Sequence, residues 1–307
     1  MSDNKSLPAF YNGDFMTLSQ VNISPLDRGF LFGDSVYEVI PAFNGNLLGG
    51  VAHFQRLISS LESIGLSLPY SIDDLLSISQ SLLAKRQPYS IDDLLSISQS
   101  LLAKRQPNVL LYVQITRGVE AIRKHRFPVK ASPTILIYAQ PFEVPFGLDY
   151  SGSHAHFHED LRWQKCDIKA TSLMGNILAY QQLYQQGHEN DEALLVRDEL
   201  VVEAPSSNLF MMKNGTIYTP PLDNILTGVT RDKVIQLIKE AGLPLIESAP
   251  TKDSILAADE VWLTNSLEEL KPIICVDGQT IGTGVPGPIW KQLFSAYQKL
   301  KTKLSSI

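Results

Sequence analysis

A run of 19 residues, Pro69 to Gln87, recurs without change as Pro88 to Gln106. Each copy reads as one amphipathic helix. Ser71 stands at the N-cap with Asp74 at the third helical position, a variant capping box. Ile72, Leu75, Leu76, Leu82 and Leu83 fall on one face. The copies cannot merge into a single long helix. Pro88 has no N–H for the helical ladder, and a shift of 19 residues turns the apolar face by about 100°. Nor do two identical copies make a solenoid, which needs several diverged units. The pattern is that of an in-frame duplication, with one copy expected to pack natively and the other to be displaced.

Around the repeat, strand and helix patterns mix. Apolar runs at Phe10-Tyr11, Val36 to Ala42, Val109 to Thr116 and Pro133 to Ala139 predict strands, and helical spacing marks 53 to 65. Breakers cluster from Gln140 to Gly147. Beyond them come a strand at Ser153 to His158, helices near 173–186, 230–241 and 287–303, and strands near 192–197, 208–213, 216–218, 260–264 and 272–276. The fold class is therefore α+β or α/β in two domains. An N-terminal domain is expected over 1–140, a linker over 141–148 and a C-terminal domain over 149–307.

At 307 residues and 44% hydrophobic, the chain can fill two cores. A net charge of −6 without any Lys/Arg run argues against nucleic acid. The two cysteines, Cys166 and Cys275, make no disulfide framework and suit a reducing cytoplasm. No apolar stretch has the length of a signal peptide core or a membrane span, so no membrane partner is expected. His154, His156 and His158 alternate on one strand face. Three histidines can hold zinc, but nothing beside them in sequence supports it, and the reading is a solvated face with no metal.

Two stretches suggest chemistry. Lys169 lies in Cys166-Asp167-Ile168-Lys169-Ala170, and 34 residues later Glu203 lies in Val202-Glu203-Ala204-Pro205-Ser206-Ser207-Asn208. An amine that forms a Schiff base and a carboxylate that keeps a ring nitrogen protonated are the pair that pyridoxal phosphate chemistry needs. Thr227-Gly228-Val229-Thr230-Arg231 leads into Val234, Leu237, Ile238 and Ala241 at helical spacing. A helix start of this kind offers backbone N–H groups, a hydroxyl and the positive dipole end to an anion.

With Asp27 to Val39, His53 to Leu57, Arg162-Trp163 and Leu226 to Arg231, these blocks resemble the fold-type IV pyridoxal-phosphate aminotransferases, closest to those acting on D-amino acids. The resemblance implies a two-domain fold with the cofactor between the domains. It implies Lys169 as the Schiff-base residue and Glu203 as the ring-nitrogen partner, with Arg162 on the phenolic oxygen and Leu226 against the ring. Arg56, Val229, Thr230, Asn265 and Ser266 would hold the phosphate; the Asn departs from the usual hydroxyl. Tyr37, with Arg123 and His125 in Arg123-Lys124-His125-Arg126-Phe127-Pro128, would trap the α-carboxylate. In the family that Arg and His come from the partner subunit, which implies a homodimer with a shared active site. The implied reaction is ping-pong transamination of a D-alanine-like amino acid with a 2-oxo acid. A 4-amino-4-deoxychorismate lyase, a branched-chain L-amino-acid aminotransferase and a non-catalytic protein that binds the cofactor remain alternatives.

Overall fold

The computed structural model describes residues 7–84, 108–130, 132–143 and 147–304. The chain divides into two compact units, Met1–Glu143 with Ala170–Ser172 and Lys301–Ile307, and Val144–Lys169 with Leu173–Leu300.

The first unit is built on six antiparallel strands, β1 (Pro8–Tyr11), β2 (Asp14–Thr17), β3 (Ser35–Phe43), β4 (Asn46–Leu47), β5 (Val109–Thr116) and β6 (Thr134–Pro141). Their order is β2-β1-β6-β5-β3-β4. Strand alternation divides β3 between two faces. Val36, Glu38 and Ile40 are buried, while Tyr37 and Val39 on the other face are half-buried. Among the described residues, three α-helices accompany the sheet, α1 (Arg28–Phe32), α2 (Gly50–Ser63) and α3 (Ile72–Ala84).

Helix α3 is the first copy of the repeat, and it forms as its sequence dictates. Ser71 N donates to Asp74 Oδ2 at 2.8 Å and Asp74 N donates to Ser71 Oγ at 3.1 Å, closing the capping box. Leu75 and Leu82 are fully buried. The second copy, with the expected displaced helix, lies outside the described residues.

Asp27 to Asp34 make the tightest local structure of this unit. Asp27 caps α1 by accepting from Gly29 N at 2.8 Å, and it also takes hydrogen bonds from Thr116 and Thr134. Gly29 must be glycine-sized, because a Cβ there would lie 2.5 Å from the Thr116 side chain. Gly33 ends the helix in the left-handed region.

The second unit contains β7 (Ser153–Glu159), β8 (Glu192–Arg197), β9 (Leu200–Ala204), β10 (Ser207–Lys213), β11 (Thr216–Thr219), β12 (Leu245–Glu247), β13 (Glu260–Asn265), β14 (Glu269–Val276) and β15 (Gln279–Thr280). The order β10-β13-β14-β7-β8-β9 is closed by pairing of β9 with β10, so six strands form a barrel. Closure leaves these strands without an open edge. Ala155, Leu194, Val201, Leu209, Val261, Leu263 and Ile273 fill one core. Helix α4 (Met174–Gln185) packs Ala179 and Leu183 against Ala193, Leu195 and Val202, which face the other way. The remaining helices are α5 (Val229–Glu240), α6 (Lys252–Leu256) and α7 (Pro288–Leu304).

Strand β14 starts three residues earlier than its apolar run predicts, with Pro272 inside it opposite Trp262. The parallel neighbour β7 pairs only from Ile273 onward, so the N–H that proline lacks has no strand acceptor on that side. The expected solvated face of β7 is also corrected. His154 is exposed, but His158 is buried and bonded to Gln182 of α4 at 2.9 Å, and His156 is half-buried.

Gly118 makes the fold testable. It has φ +87°, and a Cβ there would sit 1.9 Å from the Ser132 carbonyl oxygen. Gly118→Ala therefore requires the backbone to move, and a loss of about 1–3 kcal/mol in unfolding free energy is expected by denaturant titration.

Candidate active site

In the second unit, Glu203 is placed by the β9–β10 hairpin. Ala204 pairs with Ser207 and Glu203 with Asn208 across a tight turn that starts with Pro205. Glu203 is 2% exposed, so its charge must be met from within the protein. Arg162 Nη1 donates to Oε1 at 2.7 Å. On Oε2 it accepts from Asn208 Nδ2 at 3.2 Å and, at a longer 3.4 Å, from Leu226 N.

Arg162 is itself held by Asp160, which accepts from Nε at 2.8 Å and from Nη2 at 3.0 Å. Arg197 adds a second cation to Asp160 at 2.6 Å. Gly175 in α4 leaves room for Arg162, since a Cβ there would lie 2.9 Å from Arg162 Cγ. Shared with Asp160, Arg162 does not fully offset the burial of Glu203. Desolvation dominates and pushes its carboxyl up to about 7, with Arg162 acting in the opposite direction. A buried carboxylate in this state can take one more charged donor.

The helix start expected after Thr227 forms. Gly228 is the N-cap of α5, and Val229 and Thr230 open the helix, both buried. Their N–H groups have no acceptor within the helix. Gly228 is required here, because a Cβ would lie 1.9 Å from Asn208 Oδ1. Asn208 Nδ2 also donates to the Leu226 carbonyl at 2.8 Å, tying Glu203, Leu226 and the α5 start into one network. Thr230 is hydrogen-bonded to Tyr297, whose hydroxyl burial drives strongly upward in pKa. Lys169 is half-buried and is followed by Ala170, which bridges Val36.

Asn265 makes four hydrogen bonds within the protein. Its Nδ2 donates to Ser207 and to Glu268, each at 2.9 Å, and its Oδ1 accepts from the N–H groups of Leu267 and Glu268. The amide thus bonds both Ser207 at the start of β10 and Glu268 in the β13–β14 turn, and Ser266 beside it is half-buried.

In the first unit, Arg56 reaches from α2 to Glu38 of β3, with Nε and Nη2 at 2.6 and 2.7 Å. His53 Nδ1 lies 2.7 Å from the same carboxylate. Burial would raise Glu38, but the Arg56 charge and the hydrogen bonds of Arg56 and His53 outweigh it and bring the carboxyl down to about 2. On the opposite face of β3, Tyr37 stacks on Tyr112 with centroids 6.1 Å apart.

Arg123 and His125 are exposed on a loop whose main chain is firmly held. Buried Arg28 donates to the carbonyls of Lys124 at 2.6 Å, His125 at 3.3 Å and Arg126 at 3.3 Å, and its Nε to Asp34 at 2.7 Å. Arg117 shares Asp34 at 2.8 Å and stacks its guanidinium on Phe127 at 3.6 Å. Phe32 packs against both Arg123 and His125.

Residues 35–274 match the family described as amino-transferase class IV. The chain belongs to the class IV aminotransferase family. It is 39% identical over 293 residues to the D-alanine aminotransferase of Bacillus licheniformis, covering 95% of this chain and 96% of that one. To the D-alanine aminotransferase of Staphylococcus aureus (strain MSSA476) it is 35% identical over 292 residues, with 94% and 96% covered. The fold is that of the branched-chain amino acid aminotransferase from Escherichia coli. The TM-score is 0.81 at 22% identity, over 96% of this chain and 94% of that one. A branched-chain amino acid aminotransferase solved with pyridoxamine 5'-phosphate shares it too. There the TM-score is 0.84 at 23% identity, over 98% and 95% of the two chains.

Asp160, Arg197, Asn208, Glu38 and Arg28 were not singled out from the sequence of this class IV aminotransferase. Each acts on another side chain or on the backbone; Asn208 lies at the end of the Glu203 block and Arg28 and Glu38 within the Asp27–Val39 block, while Asp160 and Arg197 had no signal.

The pH dependence of Glu203 follows from its environment. A carboxyl raised from 4.5 to about 7 binds its proton in the folded state at pH values where the unfolded chain has lost it. Stability of the cofactor-free protein therefore falls as pH rises from about 4.5 to about 7. The thermal midpoint of Glu203→Gln should fall less over this window than that of the wild type, and equal falls would show that Glu203 does not carry the effect.

Proposed function

We propose that the chain transaminates D-amino acids of the D-alanine type, with a 2-oxo acid as acceptor and pyridoxal phosphate as cofactor. The observation that carries this reading is the fully buried Glu203, raised to about 7 and aligned by Arg162 beside an anion-binding helix start. That donor set fits a protonated ring nitrogen on the carboxylate and a phosphate on the helix. Identity of 34–39% over nearly the whole chain to D-alanine aminotransferases favours the D-amino-acid substrate. The similarity to branched-chain enzymes is 22–24% and extends to the fold alone.

When bound, pyridoxal phosphate supplies an aldehyde for imine formation and an electron-withdrawing ring that stabilises charge at the reacting carbon. Lys169 Nζ would be the attachment point, and its amine would be the base that moves the substrate Cα proton. Glu203, oriented by Arg162, would hold the ring-nitrogen proton, and Arg162 would also serve the phenolic oxygen. Leu226 would pack on the ring. The N–H groups of Val229 and Thr230, the Thr230 and Ser266 hydroxyls and the Arg56 guanidinium would hold the phosphate. Glu38 fixes the plane of Arg56 for this task.

Tyr37, Arg123 and His125 bind the substrate carboxylate, a guanidinium fork supported by imidazole and phenol donors. The proposal extends to a homodimer in which the exposed Arg123 and His125 serve the partner's site. It also places the protein in the cytoplasm, where Cys166 and Cys275, both unpaired, suit a reducing medium. Among the described residues no helix is long and apolar enough to cross a membrane.

The test mixes the yellow holoenzyme separately with D-alanine, L-alanine and L-leucine and follows conversion to the pyridoxamine form. Only D-alanine should convert it, and Lys169→Ala should abolish conversion. Turnover of L-leucine alone, or release of p-aminobenzoate from 4-amino-4-deoxychorismate without D-alanine turnover, would overturn the assignment.

Arg123→Ala should weaken amino-acid binding by about 1.5–3 kcal/mol, the value of a hydrogen bond to a charged group. Arg28→Lys removes the fork that holds three carbonyls while keeping the charge. It should raise KM for D-alanine in steady-state assays and change kcat much less.

A further inference from the structure

We propose that the second unit carries a zinc site formed by His156, His188 and Asp191, with Asp277 supporting it from behind. Nothing in the assigned reaction uses these four residues. The sequence alone assigned no metal, because only His156 belongs to the histidine-rich strand and the other ligands arrive from the α4–β8 turn.

Three ligand atoms converge. Asp191 Oδ2 lies 2.8 Å from His156 Nε2 and 3.3 Å from His188 Nδ1, and all three atoms fall within 4.8 Å of one another. Zinc bound tetrahedrally at 2.0–2.1 Å separates its ligand atoms by about 3.3 Å. The two Asp191 contacts lie within about half an ångström of that spacing, and the two imidazole nitrogens, within 4.8 Å of each other, would draw in on the ion. With three protein ligands, the fourth position is left for water.

The backbone presents the ligands without strain in the barrel. Ala155 lies in the barrel core and Phe157 packs against it, so alternation turns His156 outward toward α4. The chain leaving α4 brings His188 back, with His188 N donating to the Leu183 carbonyl and Asp191 N donating to the His188 carbonyl. The two imidazole centroids are 4.1 Å apart. Asp277 N donates to the Ala155 carbonyl, which fixes the turn that carries the fourth side chain.

Asp277 decides how His156 is used. Its Oδ1 lies 3.2 Å from His156 Nδ1. A ring that donates to Asp277 through Nδ1 and stays neutral has its Nε2 lone pair turned toward Asp191 and His188. That carboxylate–imidazole–metal relay sets the tautomer and raises ligand basicity. Mixed imidazole and carboxylate donors select zinc or a neighbouring divalent transition ion over magnesium or calcium. The ion would tie the end of α4 to β7 and stabilise this unit.

The experiment uses holoenzyme treated with a chelator, desalted and titrated with zinc chloride in a calorimeter, alongside thermal denaturation. One zinc per chain and a zinc-dependent rise in the thermal midpoint are expected. His188→Ala removes a side chain that is 42% exposed, so it should fold, and it should lose both responses. Asp277→Asn should retain the stoichiometry but weaken binding by about 10–100-fold. His154→Ala, the exposed neighbour on the same strand, should bind as the wild type does. Absence of a saturable single site, or unchanged zinc affinity in His188→Ala, overturns the proposal, as does an equal loss in His154→Ala.

Discussion

The second unit is organised around one buried charge, the carboxylate of Glu203. Burial of an ionised group in a closed barrel is unfavourable unless a partner cation and hydrogen bonds meet it. Arg162 supplies the cation, and at an effective dielectric of ~20 a pair at ~4 Å is worth about 4 kcal/mol before desolvation. Arg162 would not hold that position by itself, because its side chain has several rotatable bonds. Asp160 removes this freedom by binding Nε and Nη2, leaving Nη1 for Glu203. Barrel closure then sets the remaining donors, since pairing of β9 with β10 brings Asn208 onto the same carboxylate.

The first unit uses the same chemistry to the opposite result. Glu38 is as deeply buried as Glu203, but it has Arg56 through two nitrogens and His53 besides, and its carboxyl drops to about 2. Glu203 shares its arginine with Asp160 and rises to about 7. Burial alone does not separate these residues; the division of cations does. Glu38 is a fully compensated anchor that orients Arg56. Glu203 is left incompletely compensated, its arginine divided with Asp160. Perturbed carboxylates of this second kind mark functional sites more often than those satisfied within the fold.

Much of the architecture was legible because periodicity survives folding. β5 falls on its predicted residues, 109–116, and α4, α5 and α7 lie within a residue of their predicted bounds. β9 was missed, although it carries Glu203, because Leu200 to Ala204 is short and leads straight into a Pro-initiated hairpin. Short strands such as β2, β12 and β15 also lack enough residues to show alternation. At the site, Lys169, Glu203 and the Gly228–Thr230 turn were legible as local patterns. Asp160, Arg28 and Glu38 were not, since their effect depends on partners that only the fold brings near. Asn265 is a further case: the sequence gives its position, and only the fold gives its bonds to Ser207 and Glu268.

The loop at Arg123 shows how a variable function can rest on a fixed frame. Arg28 binds carbonyl oxygens of three successive residues, 124 to 126, and therefore reads the path of the main chain and not its side chains. Asp34 holds Arg28 and Arg117 together, so the frame is itself charge-balanced within α1 and its flanks. A loop held by its backbone can change the residues it displays at little cost to its shape, which suits recognition residues on a rigid scaffold. The Asp27–Asp34 block thus fixes the path of the loop that carries Arg123 and His125. Its aspartates and glycines make a buried arginine possible, and that arginine aligns the exposed Arg123 and His125.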